Sequence, residues 1–332
     1  MKTPPADLGA KELARVLRAE YGFDSGKLTF VPKGEDAYIY VTEAGYGSQF
    51  FVRAQDRKRA RPLEEALRSA AQLRETCGLH EILAAIPARG DAFTCRCGEY
   101  LIAVFPFVQG TTAFESGFSK PRIEQAARFL GRLHNCTPGV SLIRERFENP
   151  FTQPILRALS QAESRPKTEI AVLLLQQRED LIRTLNRMER FSEELPQLHI
   201  HRVPTHGDPN LDNLLWDAEE RLFVTDWGEL AAGPAERDLY AFTGVHFRDF
   251  LADYVSERST IKLHIELFSF YFYRWSLQEI ADYSIRLLSD RTPPEEAAHA
   301  WRELNRYLPL RHNEIAREVE TVARDLNSVM LV

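Results

Sequence analysis

The chain has 332 residues, of which 44% are hydrophobic and 27% are charged, and this composition excludes disordered, collagen-like and low-complexity proteins. Its 42 basic and 48 acidic residues give a net charge of −6, which does not fit a nucleic-acid-binding protein, since such proteins carry a basic surface that neutralises phosphates. A chain of this length favours two lobes over a single hydrophobic core.

The first third of the chain alternates helical and strand-like patterns. Turn residues at 32–36 and 43–47 separate the first strands, and Gly78 stands where a helix C-cap is expected. The hydrophobic periodicity predicts helices over 7–21 and 62–76 and strands over 27–31, 37–42, 49–54, 92–96 and 100–105.

Helical patterns dominate after residue 110. They cover 121–135, a pair of helices over 150–194 and several more from 236 to the end, and only 213–216 and 222–225 look like strands. Residues 1–110 contain 15 basic and 14 acidic side chains, whereas residues 111–332 contain 27 and 34. We therefore predict a sheet-rich lobe over 1–104, a hinge over 105–110 and a large, acidic, helical lobe over 111–332.

The segment 204–228 carries the most informative pattern. Asp208 precedes Asn213 by five positions, and Asn213 precedes Asp226 by thirteen. Phosphoryl transfer requires a carboxylate that orients the attacking hydroxyl and oxygen ligands that hold magnesium against the nucleotide phosphates. The spacing matches the kinase pattern H-R-D-x-x-x-x-N followed by D-F-G, with Gly207 and Trp227 at the Arg and Phe positions.

The run H-G-D-P-N-L-D-N, followed by V-T-D-W, resembles the aminoglycoside phosphotransferase and choline kinase family of small-molecule kinases. The resemblance covers most of the chain, and segments 235–239 and 271–274 are most similar to the spectinomycin phosphotransferase branch. It implies an α+β, bilobal, protein-kinase-like fold with a small antiparallel-sheet N-terminal lobe and a large, mostly helical C-terminal lobe. It also implies ATP or GTP and Mg²⁺ as cofactors.

The same resemblance implies a role for each residue of the motif. Asp208 would be the catalytic base or hydroxyl-orienting group, and Asn213 and Asp226 would be the magnesium ligands. His206 would brace the catalytic loop without taking part in the chemistry. Each residue taken singly could equally cap a turn or begin a strand, so the prediction depends on their joint spacing.

The phosphate-binding side departs from the family pattern. Arg53 occupies the position of the lysine that contacts the nucleotide phosphates, and Glu65, with Glu64 next, is the candidate helix glutamate that pairs with it. Arginine retains the charge and can bind phosphate through two hydrogen bonds, but its planar group is not equivalent to an ammonium. An exposed arginine and glutamate without function remain the alternative.

The remaining nucleotide contacts are expected from a loop and from the hinge. Gly34 is the one glycine of the phosphate-covering loop at 32–37, which an ordinary hairpin turn explains equally well. Phe105 and Phe107 belong to the hinge whose backbone would bind the adenine or guanine edge. A buried strand would account equally well for that apolar segment.

The acceptor is expected to be a small amine, sugar or aminocyclitol that binds the helical lobe, since carboxylates around a cleft attract cations. Solvated helix surfaces are the alternative for each candidate. These candidates are Asp212, Glu229, Asp238, Glu279 and Asp282.

The leading prediction is an O-phosphotransferase of an aminoglycoside or spectinomycin-like antibiotic. A metabolic kinase of choline, homoserine, methylthioribose or fructosamine requires the same motif and remains an alternative, as does a catalytically silent, pseudokinase-like binder. The sequence argues against a protein kinase, because no A-P-E segment follows Asp226 and Gly207 replaces the arginine of the kinase motif. We expect a monomer or homodimer.

No apolar run approaches the ~20 residues of a membrane span, and the N-terminus lacks the apolar region of a signal peptide. We therefore predict a cytoplasmic protein without membrane contact. Of the four cysteines only Cys95 and Cys97 are close in sequence, and C-x-C is neither a zinc nor a redox motif. All four are predicted to be reduced thiols.

Overall fold

Contacts between Cα atoms divide the chain into two compact units. The first unit comprises Met1–Arg144, Val203–Gly233 and Ala252–Thr260, and the second comprises Glu145–Arg202, Pro234–Leu251 and Ile261–Val332. The computed structural model describes residues 3–5, 7–24, 26–33, 37–57, 63–137, 139, 141–244, 246–258 and 262–330.

The regular elements fall into ten strands and twelve α-helices within these described residues. The strands are β1 (Thr29–Val31), β2 (Tyr38–Glu43), β3 (Gln49–Asp56), β4 (Cys95–Cys97), β5 (Tyr100–Pro106), β6 (Gly110–Thr112), β7 (Val203–Thr205), β8 (Leu214–Asp217), β9 (Leu222–Val224) and β10 (Ala231–Gly233). The helices are α1 (Ala10–Tyr21), α2 (Leu63–Thr76), α3 (Ala113–Ser116), α4 (Lys120–Asn135), α5 (Thr152–Ser164), α6 (Glu169–Gln176), α7 (Arg178–Glu194), α8 (Glu236–Leu239), α9 (Phe247–Ser256), α10 (Ile265–Leu288), α11 (Pro294–Tyr307) and α12 (His312–Met330).

The first unit is built on a five-stranded antiparallel sheet in the order β1-β2-β3-β5-β4. Val52 and Ala54 of β3 are fully buried on one face, so Arg53 between them points to the other face. In the sheet register Arg53 lies opposite Ile39 and Ala103. The core on the face of Val52 also contains Leu8, Leu13, Leu17, Tyr40, Ile102 and Val104.

The predicted elements of the first third are confirmed, with bounds that shift by no more than three residues. Two predictions for the rest of the chain are wrong. The first is that only two strands lie beyond the hinge, since the structure has three more from residue 110 onward, β6, β7 and β10. Each of these is three residues long and is defined by its pairing with another strand. Their glycines and proline give no strand signal in the sequence.

The predicted helix pair over 150–194 consists of the three helices α5, α6 and α7. The Thr168 hydroxyl accepts a hydrogen bond from the Ala171 N–H (3.3 Å) and so begins α6 with an N-cap. Gln177, at φ −96° and ψ 4°, interrupts the helical backbone between α6 and α7. These local breaks divide one continuous hydrophobic pattern.

Helix α4 supports the β8–β9 hairpin in the first unit. The buried Arg122 donates two hydrogen bonds to Glu220, with Nε–Oε2 and Nη2–Oε1 distances of 2.9 and 2.8 Å. Its guanidinium also lies 5.0 Å from the Trp216 ring centroid, and the indole N–H donates to Gln125 (3.1 Å). The hairpin is therefore attached to α4 by both charge and packing.

The second unit is helical in its described residues. Helix α10 is 24 residues long and packs against α5, α7, α11 and α12. Its central core is aromatic and aliphatic, and the largest buried side chains of that core include Phe147, Phe270 and Tyr271.

The prediction of four reduced cysteines is wrong for one pair. Cys77 follows α2 and Cys136 follows α4, and the two form a disulfide with their Cα atoms 6.1 Å apart. They are 59 positions apart, so only the packing of the two helix ends brings them together. Cys95 and Cys97 are free thiols.

Candidate active site

The β8–β9 hairpin brings two motif residues side by side. Leu214 pairs with Val224 in the ladder, and the Thr225 N–H donates to the Asn213 carbonyl at 3.0 Å just beyond it. Asn213 precedes β8 and Asp226 follows Thr225, so both side chains stand at the open end of the hairpin.

A second strand pair holds the loop that carries Asp208. Thr205 pairs with Ala231, and its buried hydroxyl donates to the Ala231 carbonyl at 2.9 Å. Gly207 has a φ of +93°, a left-handed conformation that strains residues with a Cβ. Glycine at the position of the kinase arginine therefore permits the chain to turn between His206 and Asp208.

His206 is fully buried and connects the loop to the end of the hairpin. Its Nε2 lies 2.7 Å from the Thr225 carbonyl oxygen, and the Asp208 N–H donates to its Nδ1 at 3.2 Å. These two contacts require a neutral ring with the proton on Nε2. The ring also packs edge-on against Trp227, with centroids 4.5 Å apart. Both ring nitrogens are thus occupied by the backbone.

The Asp208 carboxylate is oriented by two amide side chains. Asn210 Nδ2 donates to Asp208 Oδ1 at 3.0 Å, and Asn213 Nδ2 lies 3.5 Å from Asp208 Oδ2. Asn213 Nδ2 also donates to the Asp208 carbonyl at 2.8 Å, which leaves the Asn213 Oδ1 atom as a free oxygen within the described part of the chain. Sequence reasoning missed Asn210, although an amide two positions after the motif aspartate was a visible signal.

Asp226 combines an unusual backbone with a charge partner. Its φ of 60° and ψ of 61° lie in the left-handed region, which is uncommon for a residue other than glycine. Its Oδ1 contacts Nη1 of Arg53. Burial favours a higher pKa for Asp226, but the Arg53 charge and hydrogen bond and the Gly228 N–H together hold that pKa below its usual value.

The two candidate helix glutamates have different environments. Glu64 accepts hydrogen bonds from the Phe93 N–H (2.9 Å) and from the Thr94 N–H (2.7 Å) and hydroxyl (2.9 Å). Burial acts to raise the pKa of Glu64, but these bonds and one from Arg68 lower it overall. Glu65 is exposed and has no ion pair with Arg53 in the described residues. The structure therefore gives Arg53 a carboxylate partner from the hairpin end.

Two of the other predicted nucleotide contacts, Phe105 and Phe107, lie on or beside β5. Gly34 lies outside the described residues. Phe105 is buried and pairs with Phe51, and the Phe107 N–H donates to the Gln49 carbonyl at 3.2 Å. The Phe107 donor is thus already used by the Gln49 carbonyl at the start of β3.

Two of the predicted acceptor contacts belong to the first unit. Burial and the nearby Glu115 raise the pKa of Asp212, while Lys33 and Thr112 act in the opposite direction. Lys33 itself forms an ion pair with Glu115. Glu229 is half-buried and follows Asp226 by three positions.

The other three candidate acceptor contacts belong to the second unit. Asp238 on α8 is fully buried. Glu279 and Asp282 are half-buried on α10, three positions apart, so they share a face of that helix. Burial, followed by the charge of Glu279, raises the pKa of Tyr307 to about 12.

Asn213 and Asp226 present oxygen atoms of the type that magnesium prefers. Magnesium in kinases keeps several ligands from water and from nucleotide phosphates, so two protein side chains suffice. Among the described residues no group of three His, Cys, Asp or Glu side chains forms an all-protein metal site. In those same residues no helix is long and apolar enough to cross a membrane.

Comparisons with known proteins identify the family of this chain. The family described as "Phosphotransferase enzyme family" matches residues 27–261. Protein StrN of Streptomyces griseus is 27% identical over 247 residues, which cover 69% of this chain and 72% of that protein. The match to the family includes every residue of the motif and Arg53.

Solved structures share the fold at low sequence identity. Spectinomycin phosphotransferase, solved with ADP and spectinomycin, is similar with a TM-score of 0.73 and 17% identity over 95% of this chain and 99% of that chain. A microcompartment-associated aminopropanol kinase is similar with a TM-score of 0.60 and 17% identity over 96% and 98% of the two chains. The α+β, kinase-like fold class is therefore confirmed.

Proposed function

The chain belongs to the phosphotransferase enzyme family and is a small-molecule phosphotransferase, and we propose that it transfers the terminal phosphoryl group of ATP or GTP to a hydroxyl group of a small cationic acceptor. The linkage of Asp208, Asn213 and Asp226 supports this proposal. Asn213 Nδ2 binds the Asp208 carbonyl (2.8 Å), and the Asn213 carbonyl binds the residue before Asp226 (3.0 Å). These bonds hold the Asn213 side chain against the backbone of Asp208 and hold the backbone of Thr225, which precedes Asp226, beside Asn213.

In the proposed reaction Asp208 orients the acceptor hydroxyl. As the hydroxyl oxygen bonds to the terminal phosphorus and the bond to the nucleoside diphosphate breaks, Asp208 accepts the hydroxyl proton. Asn210 and Asn213 donate to its carboxylate and hold it in one orientation. His206, with both nitrogens bound to backbone, is a positioning residue.

Asn213 Oδ1 and the Asp226 carboxylate would hold magnesium. When bound, the metal would neutralise negative charge on the nucleotide phosphates. Arg53 is proposed to bind the nucleotide phosphates. Its partner Asp226 is the proposed magnesium ligand, so the guanidinium already lies where phosphate and metal would meet. Glu65, Gly34 and the hinge at 105–110 remain proposed nucleotide contacts, and the lobe division at that hinge remains a proposal.

The acceptor is proposed to be a hydroxylated amine, with an aminoglycoside or spectinomycin-like antibiotic first. The excess of acidic over basic residues in 111–332, 34 against 27, supports a cationic acceptor. Proteins of similar structure are named for spectinomycin and aminopropanol, and both compounds carry amines and hydroxyls. The structural similarity to an aminopropanol kinase supports a metabolic amino alcohol as the second candidate acceptor.

Release of ADP or GDP would be measured with and without Mg²⁺ across aminocyclitols, aminoglycosides and small metabolic alcohols. We expect release with one compound class, which stops in Asp208→Ala and persists in Asp290→Asn, an exposed carboxylate paired with Arg165. Release that survives Asp208→Ala would contradict the proposed role of Asp208. No release with either nucleotide would favour a silent binding protein.

A further inference from the structure

A cavity of about 770 Å³ in the second unit has a strongly basic lining. Its volume lies in the range of small-molecule pockets, roughly 300–1,000 Å³. Only two carboxylates, Asp180 and Glu314, line it. The basic residues of the lining are Arg183, Arg187, Arg190, Arg311, His312 and Arg317. This excess of positive charge occurs in a part of the chain whose overall charge is negative.

The two carboxylates neutralise only two of the arginines. Arg183 pairs with Asp180 and Arg311 pairs with Glu314, each with an N–O distance of 3.3 Å. The other three arginines of the lining are Arg187, Arg190 and Arg317. Among the residues that the structure describes, their guanidinium groups have no carboxylate partner. The cavity therefore carries uncompensated positive charge.

Neighbouring groups hold two of these arginines in place. Arg187 Nη1 donates to the Tyr273 hydroxyl oxygen at 2.6 Å, and its guanidinium lies 4.8 Å from the centroid of that ring. Arg317 donates from Nε to the Asn313 carbonyl at 3.2 Å, which leaves its outer nitrogens for other acceptors. Arg190 follows Arg187 by three positions and so shares its face of α7.

The start of α12 adds donors to the same lining. His312 and Asn313 are its first two residues, and their N–H groups have no backbone acceptor in the described part of the chain. The Tyr273 hydroxyl, which accepts from Arg187, lies 3.2 Å from His312 Nδ1. His312 Nε2 is a buried atom without a hydrogen-bond partner among the described residues.

We infer that this cavity is a second binding site of the protein, for a small molecule that carries at least two phosphate groups. Guanidinium groups bind phosphate through paired hydrogen bonds, and a helix N-terminus adds N–H donors and a positive dipole. The arginines of α7 and the first turns of α12 line the same cavity, so one ligand with two phosphates can bind both. The site shares no residue with the proposed phosphotransfer site and does not rest on the proposed function.

Binding of inorganic pyrophosphate to the full chain, measured by calorimetry, tests this inference. We expect Arg190→Gln and Arg317→Gln each to weaken binding about tenfold, the effect of one charge-assisted hydrogen bond, and the double variant to weaken it about a hundredfold. The matched control is Arg302→Gln, an exposed arginine on α11 outside the cavity, which should bind as the wild type does. All three arginines are solvent-exposed, so thermal unfolding should be unchanged in each variant.

Arg53→Gln separates this site from the phosphotransfer site, and it should leave cavity binding intact. Pyrophosphate binding that is lost in Arg53→Gln but retained in the double cavity variant would overturn the inference, as would no binding to the wild type. Citrate is the second probe, because it carries carboxylates in place of phosphates. Citrate binding as tight as that of pyrophosphate and weakened in the same double variant would overturn the assignment to phosphate.

Discussion

The guanidinium of Arg53 contacts the carboxylate of Asp226, although 173 positions separate the two residues. Arg53 occupies the position where kinases carry a lysine that pairs with a helix glutamate. In this protein the arginine contacts the proposed metal ligand, and Glu64 of helix α2 accepts hydrogen bonds from the backbone of Phe93 and Thr94. Against the opposing effect of burial, the charge and hydrogen bond of Arg53 lower the pKa of Asp226.

Replacing Arg53 by lysine tests whether arginine is the working phosphate ligand. We expect Arg53→Lys to lower kcat/KM for phosphoryl transfer about tenfold, since an ammonium cannot form the paired hydrogen bonds of a guanidinium. Steady-state kinetics with ATP and GTP provide the measurement. Transfer that appears only in Arg53→Lys would instead support the catalytically silent, pseudokinase-like alternative.

Removal of the Asp208 carboxylate should affect chemistry more than binding. Asp208→Ala is expected to lower the rate of transfer by roughly 10²–10⁴-fold, the usual contribution of a general base. Nucleotide affinity, measured by equilibrium titration, should change little because Asp208 is proposed to contact only the acceptor. Equal losses of rate and nucleotide affinity would refute the assignment of Asp208 as the base.

Gly207 should be intolerant of a side chain because its φ is +93°. Gly207→Ala is expected to lower the free energy of unfolding by about 1–2 kcal/mol, the cost of a left-handed conformation for a residue with a Cβ. Thermal or urea unfolding measures this change. Gly45→Ala is the control, since a Cβ added at Gly45 would meet no described atom within 4 Å and the φ of Gly45 is not left-handed. An unchanged stability of Gly207→Ala would argue against this turn.

Glu64 should contribute stability that depends on pH. The folded-state pKa of Glu64 is lowered, because its hydrogen bonds outweigh the opposing effect of burial. Its contribution is therefore present above the unfolded pKa of about 4.3 and is lost as the pH falls through the folded pKa.

The melting temperature of Glu64→Gln should accordingly be lower than that of the wild type at pH 7, and the two should converge in acid. Glu65→Gln is the matched control, because Glu65 is exposed on the same helical turn. A constant difference between the wild type and Glu64→Gln across the acid range would contradict the expectation.

The disulfide between Cys77 and Cys136 predicts a specific thiol count. Denatured, unreduced protein should react at two thiols, Cys95 and Cys97, and at four after reduction. Mass spectrometry after alkylation gives this count directly. Cys77→Ser should lower the free energy of unfolding by about 2–4 kcal/mol relative to the oxidised protein. Four reactive thiols before reduction would show that the pair is not bonded.

The sequence alone determined the parts of this protein that depend on short spacing. The intervals between Asp208, Asn213 and Asp226 span one loop and one hairpin, so local geometry fixes their proximity. The strands of the first sheet were likewise predictable from alternation of apolar residues. The family followed from the same motif, and the match over residues 27–261 confirms it.

Only the tertiary structure decided the contacts between distant segments. The partner of Arg53, the disulfide and the pairing of β6 with β8 join residues whose separation in sequence gives no local signal. The arginine-lined cavity is of the same kind, since α7 and α12 are each ordinary charged helices when considered singly. The arginines of the two helices line one cavity because both helices pack against α10, and the hydrophobic periodicity of the sequence does not predict that packing.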